Sequence, residues 1–207
     1  MRIALVHDYL VQEGGAEQVL RDLHALYPTA PVFTLFIDPK LKTTTYAGWD
    51  IRTSFLQSFP WIARWYRWWL PLMPAAIESL DVSGFDVVLS STSGFAKGVI
   101  TQPGTVHVCY CHTPTRFLWV QSHKYIDDVQ VTRPLKALLP QVLTWLRQWD
   151  RVAADRVDVF LANSETVRER IAKYYHREST VVHPAVDVTR FALGTGEGNY
   201  YLAGGRL

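Results

Sequence analysis

The sequence predicts an α/β fold, a Rossmann-like parallel sheet flanked by helices. Three observations carry that expectation. Short apolar or β-branched runs alternate with longer stretches of helical period, the pattern of strand–helix–strand units. The opening run, Ile3-Ala4-Leu5-Val6, has no polar alternation, as suits a strand covered on both faces. Polar residues then gather just after the strand candidates, where open parallel sheets bind their ligands.

Taken in order, the first strand spans Arg2–Val6 and is followed by a loop containing Gly14-Gly15. A helix follows over Ala16–Leu26, where Ala16, Val19, Leu20, Leu23 and Leu26 recur at helical spacing. Pro28 and Pro31 punctuate, and Pro31–Ile37 gives a second strand. Phe59–Leu70 reads as a helix, Asp86–Ser90 and Thr105–Tyr110 as strands, and Pro134–Ala154 as a long helix. A strand at Val157–Ala162, a helix at Glu165–Tyr175 and a strand at Thr180–Val182 complete the alternation. Gly194–Gly198 reads as a glycine-rich, acidic linker, and Tyr200–Ala203 has strand character. Residues 1–193 are therefore expected to form one Rossmann-like domain, and residues 194–207 a linker and the first strand of a further domain.

Composition narrows the function classes. With 48% hydrophobic and 19% charged residues, the 207-residue chain folds rather than remaining disordered. A net charge of +2 lacks the clustered basic excess of a nucleic-acid binder, so no nucleic-acid partner is expected. Cys109 and Cys111 are too few for a disulfide framework and fall on one face of a strand, where they read as small core residues. The opening apolar run is too short for a signal-peptide core, and no stretch reaches the roughly eighteen apolar residues of a membrane span. A cytoplasmic location is expected.

Five strand ends carry polar groups: His7-Asp8, Ser90 to Gly94, Cys111 to Pro114, Asn163-Ser164-Glu165 and His183-Pro184. Together they outline a crevice on one rim, although Ser91, Thr92 and Ser164 read equally well as helix caps. Gly14-Gly15 reads either as a plain tight turn or as a place where backbone N–H groups approach a phosphate. His112 lies at a strand end beside a Thr-Pro turn and Arg116, which makes it either a rim group or a structural histidine. His107, Cys109 and Cys111 alternate along a strand while His112 falls outside that face. That arrangement and the cysteine spacing do not suit zinc, and no metal is expected. Trp61, Trp65, Trp68 and Trp69 share one face of the Phe59–Leu70 helix, with Arg64 and Arg67 off it. The stripe is either packing within or between domains, or a membrane-contact surface with indoles at headgroup depth and arginines on lipid phosphate.

Several motifs occur in order. They are Met1-Arg2-Ile3-Ala4-Leu5-Val6-His7-Asp8-Tyr9 with Gly14-Gly15-Ala16-Glu17, then Tyr110-Cys111-His112-Thr113-Pro114-Thr115-Arg116. Asn163-Ser164-Glu165-Thr166, His183-Pro184-Ala185-Val186-Asp187 and the closing Tyr200 to Leu207 segment follow. From end to end the chain resembles the N-terminal domain of family 4 retaining glycosyltransferases of the GT-B fold, and is similar to bacterial polysaccharide mannosyltransferases. The resemblance implies transfer of a hexosyl group, mannosyl favoured, from a nucleotide sugar such as GDP-mannose, with retention of configuration. The acceptor would be lipid-linked or a saccharide, and the enzyme would sit peripherally on the inner face of the cell membrane.

It further implies that His112 acts as the catalytic group beside the transferring sugar and that Gly14 and Gly15 approach the donor diphosphate. Asp8, Thr113, Arg116 and Ser164 would line the acceptor side. Neither a metal nor an organic cofactor is implied, because helix starts and basic side chains serve the diphosphate. The family's donor-contacting basic pair and Glu-x7-Glu segment would lie beyond Leu207, so residues 1–207 alone are expected to be inactive. Two rival readings are a non-catalytic half that binds acceptor or a separate donor domain, and a sugar-nucleotide epimerase. The absence of a Gly-x-Gly-x-x-Gly fingerprint disfavours the epimerase.

Overall fold

The apolar run at the start of the chain forms β1 (Ile3–His7), with Leu5 directed to one side of the sheet and Ala4 and Val6 to the other. In this computed structural model, residues 1–128, 132–186, 188 and 201 are described. The remaining strands are β2 (Val32–Thr34), β3 (Ile51–Thr53), β4 (Val87–Thr92), β5 (Val106–Cys111), β6 (Val159–Ala162) and β7 (Thr180–Val181). The helices are α1 (Gly15–Leu26), α2 (Pro39–Thr43), α3 (Ile62–Trp65), α4 (Met73–Glu78), α5 (Arg116–Trp119), α6 (Ser122–Asp128), α7 (Arg133–Asp155) and α8 (Glu165–Tyr175). The expected linker and strand between Gly194 and Leu207 fall, apart from Tyr201, outside the described residues.

The seven strands form one parallel sheet in the order β3-β2-β1-β4-β5-β6-β7. Leu5 sits opposite Val32 on one side and Leu89 on the other, and Val108 lies between Leu89 and Val159. The chain builds outward from β1 to β3, then returns to place β4 on the opposite flank of β1. That reversal leaves a crevice beyond the carboxyl ends of β1 and β4, the place where an open α/β sheet admits a ligand. The fold is therefore the expected Rossmann-like α/β sheet.

Apolar side chains cover both faces. Ala4, Val6, Val88, Phe95 and Leu146 belong to one buried cluster, and Leu5, Leu20, Val32 and Tyr46 to another. Cys109 and Cys111 are wholly buried in a third, with Phe160, Val167, Ile171 and Tyr175. Burial pushes the Cys109 thiol up to about 12 and the Cys111 thiol upward as well, so both are inert packing groups.

Three local features depart from the sequence reading. An edge strand, β3, was not anticipated. The second strand ends at Thr34 rather than Ile37, and residues 35–37 leave the ladder except for a single bridge between Leu10 and Ile37. The expected helix over Phe59–Leu70 is broken. Trp61 takes a left-handed conformation (φ 52°), α3 makes one turn, and a 3₁₀ stretch runs from Tyr66 to Leu72 with Pro71 inside it. Pro60 and Pro71 bracket a run of aromatics, which are weak helix formers, and packing decides the outcome. Phe59, Tyr66 and Trp69 turn onto the core, and Trp69 meets the Phe59 ring edge-on with centroids 4.7 Å apart. Trp69 is thus separated from the exposed indoles it was expected to join.

Candidate functional site

The end of β1 is organised by Asp8. Its Oδ1 accepts hydrogen bonds from Thr92 Oγ1 (3.0 Å) and from the Phe95 and Ala96 N–H groups (2.8 and 2.7 Å). Its Oδ2 accepts from the Ser93 N–H at 2.6 Å. The carboxylate is buried and closes the turn that follows β4. Asp8, expected on the acceptor side, has its carboxylate turned inward onto these four donors.

Beside it, His7 of β1, Ser91 of β4 and His112, just after β5, form a chain of contacts. His7 Nδ1 lies 3.3 Å from Ser91 Oγ, and His112 Nε2 lies 2.9 Å from the same oxygen. Ser91 has one O–H, so at most one imidazole accepts from Oγ and at least one donates to it. Burial holds both histidines below the ordinary range. For His7 it outweighs the opposing charges of Asp8 and Glu17. His112 is brought down to about 4 by burial first and His7 second, with Asp8 opposing. At neutral pH His112 is a neutral imidazole, with Nδ1 the ring nitrogen that Ser91 does not engage.

His112 faces an open cavity of about 360 Å³. Gly15, Ala16 and Gln18 of α1 form one wall, with Ser93, Asn163 and Pro184 among the residues opposite. α1 begins at Gly14 without a side-chain cap, so its first N–H groups are free of the partner that usually satisfies them. A Cβ built at Gly15 would meet nothing within 4 Å, so packing does not demand glycine there. Gly14, at the cap position itself, has no side chain to bond the helix start. Among the described residues, no group of three His, Cys, Asp or Glu side chains is placed to hold a metal.

The other expected site residues lie elsewhere on the rim. Ser164 caps α8, its Oγ accepting from the Val167 N–H at 3.4 Å and donating to Asn163 Oδ1 at 3.0 Å. Thr113 Oγ1 bonds to the Pro114 carbonyl and accepts from Arg170 at 3.2 Å. Arg116 is exposed at the start of α5. Trp61, Trp65, Trp68, Arg64 and Arg67 are exposed, outside the cavity.

Beneath the crevice lies a group of residues that the sequence reading missed. Lys97 Nζ pairs with Asp150 Oδ1 at 2.5 Å, both side chains fully buried, and also donates to the Gly94 carbonyl. Thr115 Oγ1 (2.8 Å), Trp119 Nε1 (2.7 Å) and Tyr175 OH (2.9 Å) donate to the same carboxylate. One ion pair thus ties the turn after β4 to α5, α7 and α8. The available signal was a lysine inside the apolar run Phe95-Ala96-Lys97-Gly98-Val99, since a buried charge requires a partner.

Among solved structures, the crystal structure of Anabaena HepE in complex with UDP resembles this chain with a TM-score of 0.54 at 17% identity. The match covers 91% of this chain and 45% of that one, so the chain spans less than half the length of HepE. At that identity the likeness speaks for the fold. No curated protein matches the sequence. Residues 13–190 match the model of Glycosyltransferase Family 4, and since that stretch takes in most of the sequence, the chain belongs to that family.

Proposed function

We propose that this chain is the acceptor-side half of a two-domain retaining glycosyltransferase. It would serve transfer of a hexosyl group, mannosyl by the sequence resemblance, from a nucleotide sugar to a lipid-linked or saccharide acceptor. In that reaction the bond from the anomeric carbon to the diphosphate breaks and a bond to the acceptor oxygen forms. The acceptor's proton leaves with the nucleoside diphosphate.

The observation that carries this reading is the pairing of a bare helix start with a neutral histidine on one crevice. The uncapped N–H groups around Gly14 and Gly15 suit the donor diphosphate. His112, whose Nε2 is engaged by Ser91, directs a fixed polar group toward the sugar, stabilising charge that develops at the anomeric centre. Arg116, exposed beside the rim, and Thr113 lie on the acceptor side. The donor suggested by resemblance is GDP-mannose, and the UDP bound in HepE makes UDP-sugars the comparison set.

The test is a screen of nucleotide sugars with the full-length enzyme, followed by His112→Ala. Turnover should fall by roughly two orders of magnitude, the scale of one lost group that stabilises a transition state. The variant should keep the native circular dichroism spectrum. Near-native turnover would remove His112 from the reaction, and failure to turn over any nucleotide sugar would overturn the reading as a whole.

A further inference from the structure

The broken segment after β3 places aromatic side chains in an arrangement that core packing does not explain. Trp61 is 78% exposed, Trp65 49% and Trp68 52%. They are close along the backbone. The Trp65 N–H bonds to the Trp61 carbonyl at 3.1 Å, so these two residues are one α-turn apart. Trp68 follows three residues later in the 3₁₀ stretch, where side chains at that spacing eclipse. Three exposed indoles thus form a row along the chain from Trp61 to Trp68, while Trp69, one residue on, turns inward to Phe59.

We infer that this row, with Arg64 and Arg67, is a docking face for an anionic lipid bilayer. Charge complementarity selects the occupant. Between Ile51 and Ile77 there is no Asp or Glu, and the charged residues are Arg52, Arg64 and Arg67. Arg64 lies over the Trp65 ring, its guanidinium carbon 5.7 Å from the centroid, so indole and cation arrive at a surface together. Indoles partition to headgroup depth, and guanidinium groups pair there with lipid phosphate. Left-handed geometry at Trp61 is uncommon for a residue with a bulky side chain, and this residue carries the most exposed indole of the row.

The face also has a defined place. Tyr66, between Trp65 and Arg67, packs on Tyr9 and Phe36, with ring centroids 4.9 and 6.0 Å away. Those residues follow β1 and β2, so the indole row sits on the same carboxyl rim of the sheet as the crevice. A bilayer held by it would lie beside the site. Binding requires neither donor nor turnover, so this inference stands or falls separately from the transferase reading.

The experiment is flotation of the protein with phosphatidylcholine vesicles, with and without phosphatidylglycerol. Native protein should float with the anionic vesicles. Arg64→Gln/Arg67→Gln should bind them about 30-fold less tightly, equivalent to roughly 1 kcal/mol per basic side chain at an anionic surface. Trp65→Ala/Trp68→Ala should fail to float even at low salt. Lipids brominated near the headgroup should quench tryptophan fluorescence of the native protein, a readout that needs no variant. No flotation and no quenching would overturn the inference, as would equal flotation of the tryptophan variant. Sedimentation without vesicles gives the remaining outcome: a native dimer that the tryptophan substitutions dissociate, with no lipid binding, would assign the face to a second copy instead.

Discussion

The starts of α1 and α8 occupy the same rim of the same sheet and are finished in opposite ways. Ser164 caps α8 with its own hydroxyl, whereas Gly14 leaves the first turn of α1 bare beside the cavity. The turn after β4 resembles α8 in this respect, because Asp8 takes the N–H groups of Ser93, Phe95 and Ala96. A helix start that is capped contributes stability, and one left open keeps its donors for an anion. On one edge the fold thus separates structural helix starts from one suited to binding.

The largest test of that separation removes a closing group. Asp8→Ala strands several buried donors at once and should destabilise the protein by on the order of 3–5 kcal/mol, read from urea unfolding. An unchanged midpoint would mean that the turn after β4 is held by other contacts.

The histidines between the two regions should impose a pH dependence. Folded His112 titrates near 4, below its ordinary 6.5, and His7 is also lowered. The unfolded state therefore binds protons first as pH falls. Stability should be fully present above pH 6.5 and decline between pH 6.5 and about 4, by on the order of 3 kcal/mol for His112. His107, brought down to about 4 chiefly by burial, adds in the same direction. Unfolding midpoints measured across that window should slope less steeply for His112→Gln; an equal slope would assign the dependence to the other two.

The smallest effects come from exchanging the two helix starts. Ser164→Ala should cost about 1 kcal/mol and leave nucleotide affinity alone. Gly14→Ser, at a backbone conformation (φ −137°) that suits a capping residue, should gain a few tenths of a kcal/mol while weakening GDP and UDP binding. Thermal melts and calorimetric titration of the protein measure both quantities. If Gly14→Ser bound nucleotide as tightly as the native protein, the bare start would have no part in binding.

The sheet was legible because β1 is an apolar run that declares a doubly covered strand, and β4, β5 and β6 carry short apolar or β-branched runs between helical patterns. β3 escaped because Ile-Arg-Thr is three residues with one apolar side chain at a sheet edge. The tryptophan segment misled because helical period survives in the sequence even where Pro60, Pro71 and inward packing of Trp69 break the helix. Within the site, the crevice could be located, since polar residues at the ends of adjacent strands must converge. The direction of each side chain could not. Asp8 looks the same in sequence whether it meets a ligand or its own backbone, and Ser164 was readable as a cap from the start. Lys97 and Asp150 stand 53 residues apart with nothing local to couple them.

That ion pair has a consequence for how the rim can move. Its two side chains, with Thr115, Trp119 and Tyr175, join segments between Gly94 and Tyr175 through a single buried carboxylate. Loosening any one of those segments exposes a charge that the interior held, so they tend to open as one cooperative unit. Amide hydrogens of the turn after β4 should then exchange with solvent at rates shared with the Tyr175 end of α8, while those of the indole-bearing stretch, outside that unit, exchange independently and sooner.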